Sequence, residues 1–217
     1  MEFEVLGWPA DGPTLSLDHE RFSYAGKFVM SSTGKAVLLT DAAAAARDGP
    51  SASTSEEDDA PKLTDDRRDD DSDAVLAAVA FNEDRTDPST LWLRYVSVRA
   101  DRRGDGLGPQ LLGRTVERAI DRGYERVRIA VNNPFAYEAA WKAGFGYTGE
   151  QTGIAELVME HPRPAALARH AAEDSVGQYQ DGLAEYRERD GLADAERDFL
   201  AARLDAAPPD TIDLDDS

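Results

Sequence analysis

Residues 96–108 read Val-Ser-Val-Arg-Ala-Asp-Arg-Arg-Gly-Asp-Gly-Leu-Gly, a turn of arginines and glycines between a β-rich run and an amphipathic segment. A strand that ends in closely spaced glycines and then opens a helix leaves several backbone N–H groups facing one concavity. The positive end of the helix dipole favours an anion there. The chemistry such a turn suits is phosphate or diphosphate binding, with Arg99, Arg102 and Arg103 adding local positive charge. Two other glycine motifs fail on spacing. A Gly-x-Gly-x-x-Gly fingerprint begun at Gly104 or Gly106 requires glycine where Pro109 or Leu111 stands. A P-loop requires Ser or Thr after Gly34-Lys35, where Ala36 stands. The remaining competitor is a plain tight turn with no ligand.

The flanking pattern supplies elements to position this turn. Residues 74–81 and 90–98 are two β-rich runs joined by a polar loop, and residues 126–131 alternate Val127, Ile129 and Val131 against arginines. After the turn, Pro109 suits a first helical position. Leu112, Val116, Ala119 and Ile120 recur at helical spacing, and Gly123 stops the helix. Asn133-Pro134 is the cap and first position of a second helix that ends near Gly144-Phe145, and residues 155–160 form a last strand before Pro162. The order strand, strand, turn, helix, strand, helix, strand demands an α/β domain with a mixed sheet. Its parallel crossover joins residues 90–98 to 126–131.

Elsewhere the signals concern organisation. Residues 1–40 are a β-rich opening, with a strand at Phe3, Val5 and Gly7 and a hairpin predicted from residues 27–31 and 35–40 around Ser32-Thr33-Gly34. Residues 41–73 read as a flexible acidic insert, with one or two helical turns at 42–46. Residues 74–162 form the core. Residues 163–206 read as a helical hairpin broken at Asp190-Gly191, and 207–217 as a disordered acidic tail. The stripe Tyr179, Leu183, Tyr186 reads as a core face, with a homodimer contact as its alternative.

The formal net charge is -19 over 217 residues, and the basic residues are arginines apart from Lys27, Lys35, Lys62 and Lys142. Such a surface offers no basic face to displace counterions from a nucleic acid. It fits a halophile-like acidic proteome, in which molar salt screens repulsion within about 3 Å. There are no cysteines, which removes disulfides, thiolate metal sites and cysteine nucleophiles. His19, His161 and His170 are too scattered for a metal site, so no metal is expected. With no signal peptide and no apolar run long enough to span a membrane, the expected location is the cytoplasm.

Arg103-Gly104-Asp105-Gly106-Leu107-Gly108 matches Arg/Gln-x-x-Gly-x-Gly/Ala, the signature of the GNAT superfamily of acyl-CoA-dependent N-acyltransferases. The strand before it, Gly123, the Val-Arg-Ile-Ala-Val strand, Asn133-x-x-Ala136 and Gly144-Phe145 extend the resemblance over residues 74–160. The resemblance implies a mostly antiparallel sheet with a central parallel strand pair and flanking helices, here with a C-terminal helical extension. It implies acetyl-CoA as cosubstrate and direct attack by an amine acceptor, with a non-catalytic acyl-CoA-binding or regulatory module as the alternative.

The amides of Arg103, Gly104, Asp105, Gly106, Leu107 and Gly108 would then hold the diphosphate. Main-chain groups of Val96 and Val98 would take the pantetheine arm and the oxyanion. Asn133 would cap a helix facing the same cleft, where Ala136 leaves room. The family's frequent proton-donating tyrosine falls on Ala140, beside Trp141, so the catalytic residues are unassigned, with Tyr137 and Tyr147 as displaced candidates. Glu83 and Asp84 are candidate bases set against a solvated loop. Residues 10–40 lack the two helices that shape the family's acceptor site, and the C-terminal helices are candidates to cover the cleft instead.

Overall fold

The computed structural model describes residues 1–10, 12–41, 73–164 and 175–214. Its strands are β1 (Glu2–Gly7), β2 (Gly34–Leu39), β3 (Val75–Glu83), β4 (Thr90–Val98), β5 (Arg126–Val131), β6 (Gly146–Gln151) and β7 (Leu157–His161). Its α-helices are α1 (Leu107–Asp121), α2 (Pro134–Lys142), α3 (Ser175–Arg187) and α4 (Asp194–Ala202). The strands form one sheet in the order β1-β2-β3-β4-β5-β7-β6. Neighbours run antiparallel except β4 and β5, which pair in parallel from Thr90 with Arg126 to Leu93 with Ile129. The mixed sheet with one central parallel pair is thus the α/β architecture expected above.

A parallel pair needs a crossover, and α1 supplies it. Leu107, Leu111, Leu112, Val116 and Ala119 face the sheet and are buried. The helix stops where Gly123 adopts φ 101°, which lets the Gly123 amide reach the Ile120 carbonyl (2.9 Å) and the Tyr124 amide the Ala119 carbonyl (3.1 Å). On this helical face, Leu91, Leu93, Val127, Ile129, Leu157 and Met159 of the sheet meet side chains from all four helices in one core.

The opposite face differs from expectation. Residues 27–31 are not a strand, and β2 pairs instead with β1 and β3. The chain from 12 to 33 folds over this face as irregular coil with a single 3-10 turn at Ala25–Lys27, burying Leu17, Phe22, Ala25 and Phe28 on Val37, Leu39, Val75, Ala78 and Ala80. Its ends close on each other, since a Cβ on Gly12 would collide with the Thr33 carbonyl. Lys35 locks the closure by donating to the carbonyls of Met30 (2.7 Å) and Thr33 (2.8 Å), and burial pushes its ammonium pKa down to about 8. Burial of Phe22 and Phe28 against the sheet overrode the glycine-containing turn at Ser32-Thr33-Gly34 that suggested a hairpin.

Most of the acidic insert, residues 42–72, and its helical turns at 42–46 lie outside the described residues, as do 165–174 and 215–217. Among those described, no helix is long and apolar enough to cross a membrane. The hairpin of α3 and α4 is built into the main core. Tyr137 of α2 donates to the carbonyls of Gln178 and Tyr179 (both 3.2 Å), Tyr179 to Glu138 (3.0 Å), and Tyr186 to the Val131 carbonyl (2.8 Å). The Tyr179, Leu183, Tyr186 stripe is therefore spent inside the chain, and a fully buried Leu183 contributes about 1.5–3 kcal/mol. Residues 207–214 also depart from the expected disordered tail. The Ile212 amide bonds the Lys142 carbonyl (2.9 Å), Arg114 bonds the Leu214 carbonyl (3.1 Å), and Leu214 packs where Gly113 has no side chain.

Two stability predictions follow from this docking. A Cβ on buried Gly182 would collide with the Tyr137 hydroxyl, so Gly182→Ala should cost about 1–3 kcal/mol in a urea titration. Glu138 is the second site. Burial pushes its carboxyl up, but bonds from Arg203 and Lys142 (2.9 Å) outweigh this and hold its pKa below the ordinary 4.5. A depressed folded value means the stabilisation is complete above about pH 4.5 and is lost as pH falls through that lower value. Glu138→Gln should therefore lower stability by about 1–3 kcal/mol at pH 7, with the gap to the parent protein closing as the titration is repeated toward pH 3.

Candidate active site

β4 carries one residue more than β3 can pair. Ala80 faces Tyr95 and Phe81 faces Leu93, which leaves Arg94 as a bulge. The bulge bends β4 away from β5, and pairing between the two ends at Leu93 and Ile129 although both strands continue. A wedge opens between residues 94–98 and 130–131. The Arg99 amide bonds the Leu76 carbonyl of β3 (2.9 Å), so by the alternation of a strand the N–H and C=O groups of Val96 and Val98 point away from β3, into the wedge. Their side chains pack on the helical core.

The glycine turn lies at the mouth of this wedge. After the 3-10 turn Ala100–Arg102, Gly104 and Gly106 take φ 95° and 79°, conformations that disfavour any side chain. Space is open for 4 Å around the position of a Cβ at either glycine, and both are exposed. The Asp105 amide is used by the Arg102 carbonyl (3.4 Å), whereas the amides of Gly104, Gly106, Leu107 and Gly108 have no acceptor among the described residues. Gly108 fits against Val98 and Ala139, each 3.8 Å from where its Cβ would stand, which brings the start of α1 against both β4 and α2. Unfilled space in front of free amides at a helix N-terminus is what a phosphate group requires.

The arginines contribute less charge than the sequence suggested. Arg99 pairs with Asp101 (2.8 Å) and Arg102 with Asp105 (2.7 Å), while Arg103 reaches out to the Ser23 hydroxyl (2.9 Å). Apart from Arg103, the positive potential at this turn comes from main-chain dipoles. Asn133 accepts the Ala136 amide (2.9 Å) as the cap of α2, and half-buried Ala136 packs against the core beside it.

The proton-transfer candidates fare differently. Ala140 and Trp141 are fully buried. Tyr137 is committed to α3 by its two carbonyl bonds, and burial pushes its pKa well above the ordinary value. Burial also raises Tyr147. Glu83 accepts from Tyr124 (2.8 Å). Bonds from Thr86 and the Trp92 indole (2.6 Å) hold the Asp84 carboxyl well below the usual range, so it organises its own loop. Among the described residues no three His, Asp or Glu side chains converge as a metal site.

With the helical side of the wedge filled, the approachable side is the opposite sheet face, where Trp92 is flanked by Arg94 (4.9 Å) and Arg128 (6.0 Å), and Arg128 pairs with Glu160 (2.6 Å). In the sequence, Trp92, Arg94 and Tyr95 fall inside the run 90–98 that reads only as β-rich. The signal was present: the aliphatic residues run Leu91, Leu93 and then Val96, Val98, a change of parity that marks a bulge.

Residues 41–145, just under half of the chain, match the family model described as Acetyltransferase (GNAT) family. No curated protein matches. Similar solved structures include an N-acetyltransferase from Staphylococcus aureus Mu50 (TM-score 0.40, 18% identity, 59% of this chain and 66% of that one). A GCN5-related N-acetyltransferase from Kribbella flavida gives 0.39, 17%, 60% and 67%, and a Bacillus subtilis acetyltransferase solved in complex with CoA gives 0.35, 18%, 41% and 69%. The chain thus spans slightly less than two thirds of the Staphylococcus protein. The family match supports the GNAT superfamily, and the fold stands on the strand order described above.

Replacing the helix cap tests the local geometry. Asn133→Ala should lower stability by about 1 kcal/mol, seen as a reduced urea midpoint at unchanged slope.

Proposed function

We propose that this chain is an N-acetyltransferase that moves an acetyl group from acetyl-CoA to a primary amine of a small molecule or polypeptide by direct attack. The observation that carries the reading is the set of unclaimed amides at Gly104, Gly106, Leu107 and Gly108, with open space at the two exposed glycines Gly104 and Gly106, at the mouth of the β4/β5 wedge. These residues fit a diphosphate, and the wedge fits an extended arm that bonds like a third strand. Acetyl-CoA, when bound, supplies an activated acyl group on a good leaving thiolate.

The chain's own atoms then have three tasks. The amides from Gly104 to Gly108 hold the diphosphate, with Arg103 and Asp105 as members of the same turn. Val96 and Val98 present main-chain groups to the arm, and an N–H from this stretch faces the thioester oxygen as charge develops there. The acceptor amine arrives from the Trp92 and Arg94 face, since α1 and α2 close the other. As the C–N bond forms and the C–S bond breaks, water takes the proton shed by the amine nitrogen and returns one to the departing thiolate, because Ala140 has no proton to give and the Tyr137 hydroxyl is already spent on α3. We place the protein in the cytoplasm of a cell with high internal salt, in keeping with its charge of -19.

The fixed Tyr137 and the alanine at 140 favour a second reading, a non-catalytic acyl-CoA-binding module. Calorimetry with acetyl-CoA and a thiol-release assay over an amine panel, both in high potassium chloride, separate the two. The chain has no cysteine, so a thiol-reactive dye reports released CoA alone. Acetyltransfer predicts both heat and amine-dependent release. Heat without release identifies the binding module, and absence of heat rules out both. Gly106→Val, which forces a β-branched residue to φ 79° and fills the space before the amides, should weaken acetyl-CoA binding at least about tenfold, or ~1.4 kcal/mol. Tyr137→Phe should leave turnover essentially unchanged.

A further inference from the structure

A cleft of about 430 Å³ opens between the end of α3 and α4, and no residue of the glycine turn lines it. Leu192 and Leu200 give it an apolar floor with Leu204 at the rim, and Arg187, Arg189 and Arg197 stand around it. Three guanidinium groups on one small cleft are unexpected in a chain of net charge -19. The negative end of α3 accounts for one basic residue. It does not account for Arg197, which sits early in α4, where a helix dipole disfavours a cation.

The charges are also poorly neutralised. Arg197 pairs with Asp194. Arg189 is held by the carbonyls of Asn132 (2.8 Å) and Ala155 and lies over the Tyr186 ring (4.3 Å). Arg187 bonds the Gln180 side chain (3.2 Å) and the Arg203 carbonyl (3.4 Å), and its Nε–H is shielded from water without a partner. Among the described residues neither Arg187 nor Arg189 forms an ion pair with a carboxylate, although Asp190 also lines the cleft. Carbonyl bonds fix the direction of a guanidinium while leaving its charge in place, which pre-organises it for an incoming anion.

We propose that this cleft binds a small organic carboxylate with a short apolar tail, the carboxylate on Arg187 and Arg189 and the tail on the leucine floor. The volume is in the range of ligand pockets. A bare inorganic anion cannot use the leucines, and a neutral alcohol cannot use the arginines. Occupancy bears on the corner between β5 and α2, because Arg189 carries the Asn132 carbonyl immediately before the Asn133 cap.

The test is calorimetric titration of the full chain, without acetyl-CoA, in the lowest potassium chloride that keeps its circular dichroism unchanged. The probes are hexanoate, 1-hexanol and inorganic phosphate. Hexanoate should bind at least about tenfold more tightly than either of the others. Arg187→Met and, independently, Leu204→Asp should each weaken hexanoate about tenfold or more. Leu204 is 62% exposed, so its replacement leaves folding intact and tests the cleft even where loss of Arg187 disturbs α3. Failure of hexanoate to bind, equal binding by phosphate, or undiminished binding by the Leu204→Asp protein would each overturn the proposal. None of these outcomes touches the acyl-transfer reading, which is scored with acetyl-CoA.

Discussion

One inserted residue governs the candidate site. Because Arg94 has no partner on β3, β4 turns away from β5 after Leu93, and backbone groups that would have closed a ladder are left facing a wedge. A continuous parallel pair would satisfy those groups internally and leave no room for a ligand. Everything else is arranged around that opening. α1 crosses over it and delivers the amides of Gly104 to Gly108 to its mouth, and α2 starts on the other side at Asn133. The site is made of main chain, and its side chains serve mainly to fix where the main chain goes.

The C-terminal helices have a comparable dependence on a few polar bonds. Tyr137, Tyr179 and Tyr186 each bury a ring and spend the hydroxyl on a backbone carbonyl or on Glu138, so the apolar gain is not offset by an unpaired polar group. Burial raises all three hydroxyl pKa values, which marks them as structural donors at neutral pH. This explains why a tyrosine one helical turn from Trp141 is not free for proton transfer. The chain uses the residue as the anchor of α3, and the position at which the family often carries an acid is filled by Ala140 in the packed core.

Four of the strands after residue 74, the crossover, the glycine turn and the Asn133 cap were legible because each depends on local rules, whereas β6, whose Gly-Tyr-Thr-Gly-Glu-Gln carries no apolar alternation, was missed. Alternation makes a strand, a glycine ends a helix, and an asparagine before a proline starts one. The failures share another cause. Residues 12–33 bury Phe22 and Phe28 without regular structure, and the extended segment 207–214 is held by bonds to Lys142 and Arg114 distant in sequence, neither of which leaves a periodic trace. The pairing of Arg99 with Asp101 and Arg102 with Asp105 was equally invisible. Arginine beside aspartate reads as local positive charge until geometry shows the two neutralise each other.

That neutralisation bears on how so acidic a chain could hold a diphosphate at all. Long-range repulsion from a surface of charge -19 acts through solvent, and at molar salt it decays within about 3 Å, whereas the proposed contacts to amides would act at hydrogen-bond distance and be little screened. A helix N-terminus contributes about 0.3–1 kcal/mol to an exposed anion, so no single dipole suffices and several N–H groups must converge. Paired arginines add little net charge to the turn. Affinity built this way should vary weakly with salt once the long-range field is screened, whereas a site built on free surface cations would lose affinity steadily as salt rises. For a protein of this composition, main-chain recognition is the arrangement under which a tolerance of salt and a grip on an anion are compatible.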